Sequence, residues 1–363
     1  MKLWRIAIIG GGPGGLMTAY QLQKRANGPF ATTIFEASSR IGGKILTNHF
    51  ACAPVAYEAG AAELYDYSRV GEDPLRELIA ELGLSTRPIG GSSIFVNDQL
   101  VTDIHDTRDR LSESAWTALQ QFDHCARDWM TPKEFYKSDW KDGDQDPMLT
   151  ESFQALLGRT LNADARHYVE TLVHSDLATE PQLTNAAYGL QNYLMNDPAY
   201  MRLYTIDGGI ERLPQELHKR IDARVLLNQP VVRVERADQT SLRVISLHGD
   251  EALTQEFDFV VVALPYNLLP AIAWGGETLA AAMRQHHAHY DHPGHYLRVS
   301  VLFERPFWRD CVNESYFMLD AFGGCCLYDE SSRNWGEAHG VLGWLLGGAA
   351  AEELSHRTDD DLI

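Results

Sequence analysis

Gly10-Gly11-Gly12-Pro13-Gly14-Gly15 stands between an apolar run, Ile6-Ala7-Ile8-Ile9, and a segment with helical spacing, Leu16, Ala19 and Tyr20. Strand, glycine turn and helix in that order are the context in which such a stretch reads as a dinucleotide fingerprint. Gly10 permits the tight turn, and Gly12 has no Cβ to hold the backbone away from a pyrophosphate. Gly15 lets the helix pack closely on the strand. The helix opened by Pro13 and Gly14 offers unpaired N–H groups and a positive dipole end to phosphates. A second strand, Thr32-Thr33-Ile34-Phe35, ends in Glu36, twenty-one residues after Gly15. A carboxylate there accepts hydrogen bonds from ribose hydroxyls and repels a 2′-phosphate.

A chain of 363 residues is long enough for two domains and a large core. Its 31 Lys+Arg against 50 Asp+Glu give a net charge of −19, which excludes nucleic acid and anionic membrane as natural partners. No basic, then apolar, leader precedes the first strand, so a cleaved secretion signal is not expected. Val341 to Ala351 is apolar but too short and glycine-rich to span a bilayer. The five cysteines are an odd number without Cys-x-x-Cys spacing, and fit reduced thiols in a cytoplasmic protein. Adjacent Cys325 and Cys326 read as buried small apolar residues, with a redox pair as the alternative.

Past Glu36 comes Ala37-Ser38-Ser39-Arg40-Ile41-Gly42-Gly43-Lys44, a double glycine flanked by two cations. Its glycines let the backbone turn close to a ligand, and Arg40 and Lys44 can neutralise a diphosphate. Taken together, the two loops resemble the FAD-binding start of the flavin-containing amine oxidase family. There a Glu is followed by an Arg-x-Gly-Gly-Lys/Arg loop that runs over the flavin. The resemblance implies FAD as cofactor, held by Gly10, Gly12, Pro13, Gly14, Gly15, Glu36, Ala37, Arg40, Gly42, Gly43 and Lys44. Ala56 to Glu63 is similar to the segment that returns under the flavin, which implicates Gly60 and Ala61. The family's amino-acid oxidases and tryptophan monooxygenases carry an Arg where Glu63 stands. An acid there repels a carboxylate and attracts an ammonium, which argues against an α-amino acid held in that manner.

From about Asp73 to Asn196 the pattern is mainly helical, with Leu75, Leu78, Ile79 and Leu82 at three- and four-residue steps. Ile94-Phe95-Val96 and Gln99-Leu100-Val101 around Asn97-Asp98 predict a hairpin. Lys137 to Pro147 reads as an acidic surface loop, without the closing Glu of an EF-hand. Tyr188, Tyr193, Tyr200 and Tyr204 read as core or surface aromatics, with a substrate-channel wall as the alternative. Asp207-Gly208-Gly209, followed by Ile210, Leu213 and Leu217, resumes the nucleotide fold and leads into a ribbon. By resemblance, the backbone of Val232 on that ribbon meets the adenine. Phe257 to Pro265 predicts a strand buried on both faces, similar to the family's strand leaving the FAD domain.

The expected fold class is therefore α/β: a discontinuous Rossmann-like FAD-binding domain over 1–68 and 203–268. An α+β substrate domain, with a mixed sheet and a helical insertion, would take 69–202 and 269–363. His286, His287, His289, His292 and His295 with Asp291 suggest a metal by count alone. Pro293-Gly294 breaks any shared helical face, so a polar turn and no metal are expected. Leu297, Val299, Val301 and Phe303 alternate with Tyr296, Arg298 and Ser300 along a strand. By resemblance, Arg298 falls where the family usually has a Lys that holds a water against flavin N5. Arg keeps the charge but stays protonated and binds as a planar fork; a surface strand arginine is the plain alternative.

The family's last segment, with an Ala-Gly-Asp/Glu motif on the flavin, has no counterpart before Ile363. Weak flavin retention is expected from that difference, along with a small-molecule amine substrate. A homo-oligomer or a complementing subunit stays open. The implied activity is FAD-dependent oxidation of a C–N bond, with Glu63 and Arg298 as the candidate catalytic residues. Alternatives are desaturation of an apolar C–C bond and a non-catalytic flavoprotein subunit.

Overall fold

A computed structural model of the chain describes residues 2–137, 146–289, 294–333 and 338–362. Most of the acidic loop between Lys137 and Pro147, and Asp291 and His292, lie outside the described residues. The chain divides into two compact units, Met1–Leu46 with Ile210–Pro293, and Thr47–Gly209 with Gly294–Ile363.

In the first unit four parallel strands lie in the order Ala223–Leu226, Phe30–Phe35, Trp4–Ile9, Phe259–Val262. The central strand buries Ile6, Ala7, Ile8 and Ile9, as its unbroken apolar run requires. Helix Pro13–Arg25 begins with proline in its first turn and ends with Lys24 and Arg25 at the negative end of its dipole. Its buried face is Gly15, Leu16, Ala19 and Tyr20, the spacing visible in the sequence. Helix Arg212–Arg220 packs against it and buries Leu213, Pro214 and Leu217. An antiparallel ribbon, Val231–Arg236, Leu242–His248 and Glu251–Phe257, closes a small core of Ala7, Ile9, Phe35, Val234 and Val244.

Two expectations are corrected in this unit. The run from Phe257 to Pro265 is split: Phe257 ends the ribbon, and Phe259–Val262 forms the last strand in the parallel order. An end strand has a neighbour on one side only among the described residues, and Phe259 is 52 % exposed. The histidine-rich stretch is not a turn through His289. It is helix Glu277–His289, because Glu277-Thr278-Leu279-Ala280-Ala281-Ala282-Met283 is a strong helix former whose propensity carries into the histidines.

The second unit is built on a mixed six-stranded sheet, ordered Tyr296–Phe303, Gly340–Gly347, Cys325–Asp329, Tyr316–Leu319, Ile94–Val96, Gln99–Val101. Only the Tyr316–Leu319 and Ile94–Val96 pair runs parallel. Asn97 and Asp98 hold φ of 51° and 59°, the left-handed pair that a two-residue hairpin turn demands. Helices Glu113–Trp129, Ala163–Leu177 and Ala186–Leu194 start where Ser112, Asn162 and Asn185 accept backbone N–H bonds as caps. Their apolar stripes and the sheet enclose the main core around Leu119, Phe122, Phe153, Val169 and Leu190. Tyr193, Tyr200 and Tyr204 are core residues, while Tyr188 is exposed. Cys325 and Cys326 are buried, and all five cysteines are free thiols. Val341 to Ala351 divides into strand Gly340–Gly347 and helix Gly348–Leu354. No helix among the described residues is long and apolar enough to cross a membrane.

Candidate active site

In the first unit, the glycine turn opens onto a cavity of about 590 Å³ lined by Gly10, Gly12, Gly14, Glu36, Lys44 and Val231 among others. That volume lies within the usual range for cofactor sites. The three glycines differ in what they permit. Gly10 holds φ +110°, and a Cβ on it would lie 2.6 Å from the Ala263 carbonyl oxygen. A Cβ on Gly15 would penetrate the Gly10 carbonyl, so the helix reaches the strand only through glycine. A Cβ on Gly12 would meet nothing nearer than 3.7 Å. Gly12 thus lines the cavity beside Gly43, where a methyl would fit without a clash but would take up cavity space.

Glu36 is fixed in this cavity from two sides. Its Oε2 accepts the Gly11 N–H at 2.8 Å, and Oε1 accepts the N–H and the hydroxyl of Ser38 at 2.8 and 2.7 Å. The second loop hangs on the first, since the Gly42 N–H donates to the Gly11 carbonyl at 2.9 Å. Arg40 does not line the cavity; its guanidinium donates to the carbonyls of Ile41, Ile45 and Gly43, bracing its own loop. Lys44 does line it, as do Ala37 and Pro13. Val232 is absent from the lining, where Pro230 and Val231 stand. It is the residue that a bulge leaves out of register with the neighbouring strand, between Val231 and Arg233.

Gly60, Ala61, Glu63 and Arg298 belong to the second unit. Arg298 is no surface residue: its side chain is 7 % exposed. It is ion-paired with Glu330, donates through Nε to the Glu58 carbonyl at 2.7 Å, and lies 4.7 Å over the Tyr328 ring. Burial alone would lower its pKa, but Glu330, Tyr328 and Glu63 together hold it above the ordinary value. Gly343, on the neighbouring strand Gly340–Gly347, leaves room for the guanidinium, since a Cβ there would sit 2.8 Å from Nη2.

Glu63 lines a narrow recess of about 20 Å³ with Asp176, Asn196, Tyr65, Tyr316 and Tyr328. Asp176, near the end of helix Ala163–Leu177, has its carboxyl pushed up to about 7, by burial first and the Glu63 charge second. Burial also raises the Tyr328 and Cys326 side chains well above their usual values. Glu63 was legible in the sequence; Asp176, Glu330 and Tyr328 were not, because no local motif marks them.

A family model described as flavin containing amine oxidoreductase matches residues 13–363, and the chain belongs to that family. An L-amino-acid oxidase of Neurospora crassa is 24% identical over 345 residues, covering 78% of this chain and 47% of that protein. The chain thus spans about half the length of that relative. Among solved structures, wild-type putrescine oxidase bound to putrescine aligns with TM-score 0.74 and 21% identity, over 99% of this chain and 79% of that one. Cyclohexylamine oxidase from Brevibacterium oxydans IH-35A aligns with TM-score 0.72 and 18% identity, over 99% and 79%. These neighbours share the fold, a Rossmann-like α/β architecture, and the family's cofactor is FAD.

Proposed function

We propose that the chain oxidises a C–N bond of a small-molecule amine with FAD. The observation that carries this reading is the cavity of about 590 Å³ lined by Gly10, Gly12 and Gly14 with an anchored carboxylate, Glu36, on its wall. Gly10, Gly12 and Gly14 would hold the diphosphate at the helix N-terminus, with Lys44 balancing its charge and Glu36 receiving a ribose. When bound, the flavin supplies a hydride acceptor. The chain's own part is to bind the amine, orient it and keep water away. Glu63 and Asp176 favour a cationic substrate over a carboxylate, and Tyr65, Tyr316 and Tyr328 supply apolar walls. On this reading the unit with the glycine turn is the nucleotide-binding domain and the other carries the substrate.

The solved neighbours are named for amines and the Neurospora crassa relative for L-amino acids, so the preference for an amine rests on the acids Glu63 and Asp176. The test is the mass and absorption spectrum of the ligand released on denaturation, then an amine panel read by dye reduction and by peroxide. FAD and amine-dependent dye reduction are expected. Release of NAD, or flavin without turnover of any amine, would overturn the reading.

A further inference from the structure

We infer that the free edge of strand Phe259–Val262 is where two copies of this chain join, edge to edge, through their first units. Nothing in this contact depends on which cofactor fills the cavity.

The two edges of the parallel sheet are built differently. Ala223–Leu226, at one end of the order, carries exposed Arg224 in mid-strand. A charge there is how natural edge strands block another strand, because pairing would bury it. Phe259–Val262, at the other end, reads Phe-Val-Val-Val, with neither charge nor proline. It has a sheet neighbour on one side only among the described residues, so one row of its N–H and C=O groups faces away from the sheet, as a further strand requires.

The surface around that edge is short of charge as well. From Phe259 to Gly276 the sequence holds no Asp, Glu, Lys or Arg, over eighteen residues of a chain that is 22% charged. Within that stretch Phe259 and Leu268 are 52 % and 48 % exposed. At the start of the strand the Trp4 ring lies 5.4 Å from the Phe259 ring, and Trp4 and Leu3 are 41 % and 54 % exposed. Lys2 and Asp258, at the margin, pair with each other. Depletion of charge with aromatic side chains at the surface is the composition of an interface core.

Charge selects a second copy as the occupant. The first unit has fourteen Lys and Arg against twelve Asp and Glu, and the second has seventeen against thirty-eight. The chain's net charge of −19 therefore resides in the second unit. Copies that met through their second units would be driven apart, whereas first units meet without that repulsion. The edge also fits itself. A twofold axis across the strand sets two copies of it antiparallel, so apolar side chains meet apolar side chains and the contact closes at two. An antiparallel step at the border of a parallel sheet is a common arrangement. Withdrawing Phe259 and Trp4 from water supplies the driving force.

The experiment is sedimentation velocity on the full chain over a roughly hundred-fold range of concentration, at low and at high salt. A monomer–dimer equilibrium is expected. It should strengthen with salt, which screens the repulsion of the acidic units and leaves an uncharged contact alone. Hydrogen exchange, which needs no variant, should show the Phe259–Val262 amides better protected at high concentration than at low. Phe259→Lys, at a half-exposed position, should weaken association about ten-fold or more. A monomer at every concentration would overturn the inference and leave the edge to a different polypeptide. So would a dimer that Phe259→Lys leaves intact, or one that salt dissolves, since either would place the contact elsewhere on the surface.

Discussion

Arg298 closes on Glu330 across three strands of one sheet, and the same pair grips both main-chain groups of a third residue. Arg298 Nε donates to the Glu58 carbonyl at 2.7 Å, and Glu330 Oε2 accepts the Glu58 N–H at 3.4 Å. Both side chains are buried, at 7 % and 0 % exposure. Glu58 precedes the Ala59-to-Glu63 segment, so the pair fixes where that segment starts. Removing one charge strands the other in a dry site. Arg298→Met is therefore expected to cost about 3–5 kcal/mol in urea unfolding. The double variant Arg298→Met/Glu330→Leu should recover most of that loss. A single variant with unchanged stability would show that the pair holds nothing.

What was legible in the sequence was chemistry carried by local backbone. Gly10, Gly12 and Gly15 do their work within one turn, and Glu36 follows from the length of a strand–turn–helix–strand unit. The hairpin at Asn97-Asp98 was legible for the same reason. Arg298 and Glu330 meet through register: Arg298 lies opposite Leu345, and Leu345 opposite Cys326, so the strand that leads to Glu330 comes alongside. No spacing in the chain encodes that. Asp176 needs Glu63, Asn196 and two further strands about it before it means anything. Arg40 shows the opposite limit. Its place beside a double glycine was plain, but its choice of three loop carbonyls over the cavity depends on side-chain geometry.

The glycine turn separates folding from binding within six residues. At Gly15 a methyl would collide with the Gly10 carbonyl and sit 3.2 Å from Ile8 Cγ2, so the helix must lift from the sheet. Gly15→Ala is expected to lose FAD binding and about 2 kcal/mol or more of stability together. Gly12→Ala makes only ordinary van der Waals contact, with the Gly43 Cα 3.7 Å away. It should leave the melting temperature within about 1–2 °C of wild type, as a surface change does, while weakening FAD about ten-fold or more. Calorimetry of both variants with FAD distinguishes the two outcomes.

Asp176 makes stability depend on pH in a defined direction. Its carboxyl titrates at about 7 in the folded chain, against 3.8 for the ordinary group. Between those values the native state binds more protons than the unfolded one. Its contribution is therefore full below pH 3.8 and is lost as pH rises to about 7. Asp176→Asn should be more stable than wild type at pH 8 by a few kcal/mol, an advantage that shrinks steadily toward pH 4. Urea midpoints from pH 4 to 8 check this. Parallel profiles for the two proteins would place the titration elsewhere.

Arg40 and Lys44 flank the same double glycine and should fail differently. Arg40 supplies a planar fork to the carbonyls of Ile41 and Ile45 at 3.1 Å each and of Gly43 at 2.6 Å. A lysine keeps the charge but cannot span three acceptors in that geometry. Arg40→Lys should loosen the loop and weaken FAD about as much as Arg40→Ala does, because shape and not charge is lost. Lys44 lines the cavity and is exposed, so its role toward a diphosphate is electrostatic. Lys44→Gln should weaken FAD by a factor that is largest at low salt and fades as ionic strength rises. The Arg40→Lys loss should persist at high salt. Dissociation constants for FAD at two salt concentrations settle the division of labour, and equal salt dependence for both variants would put Arg40 on the phosphates after all.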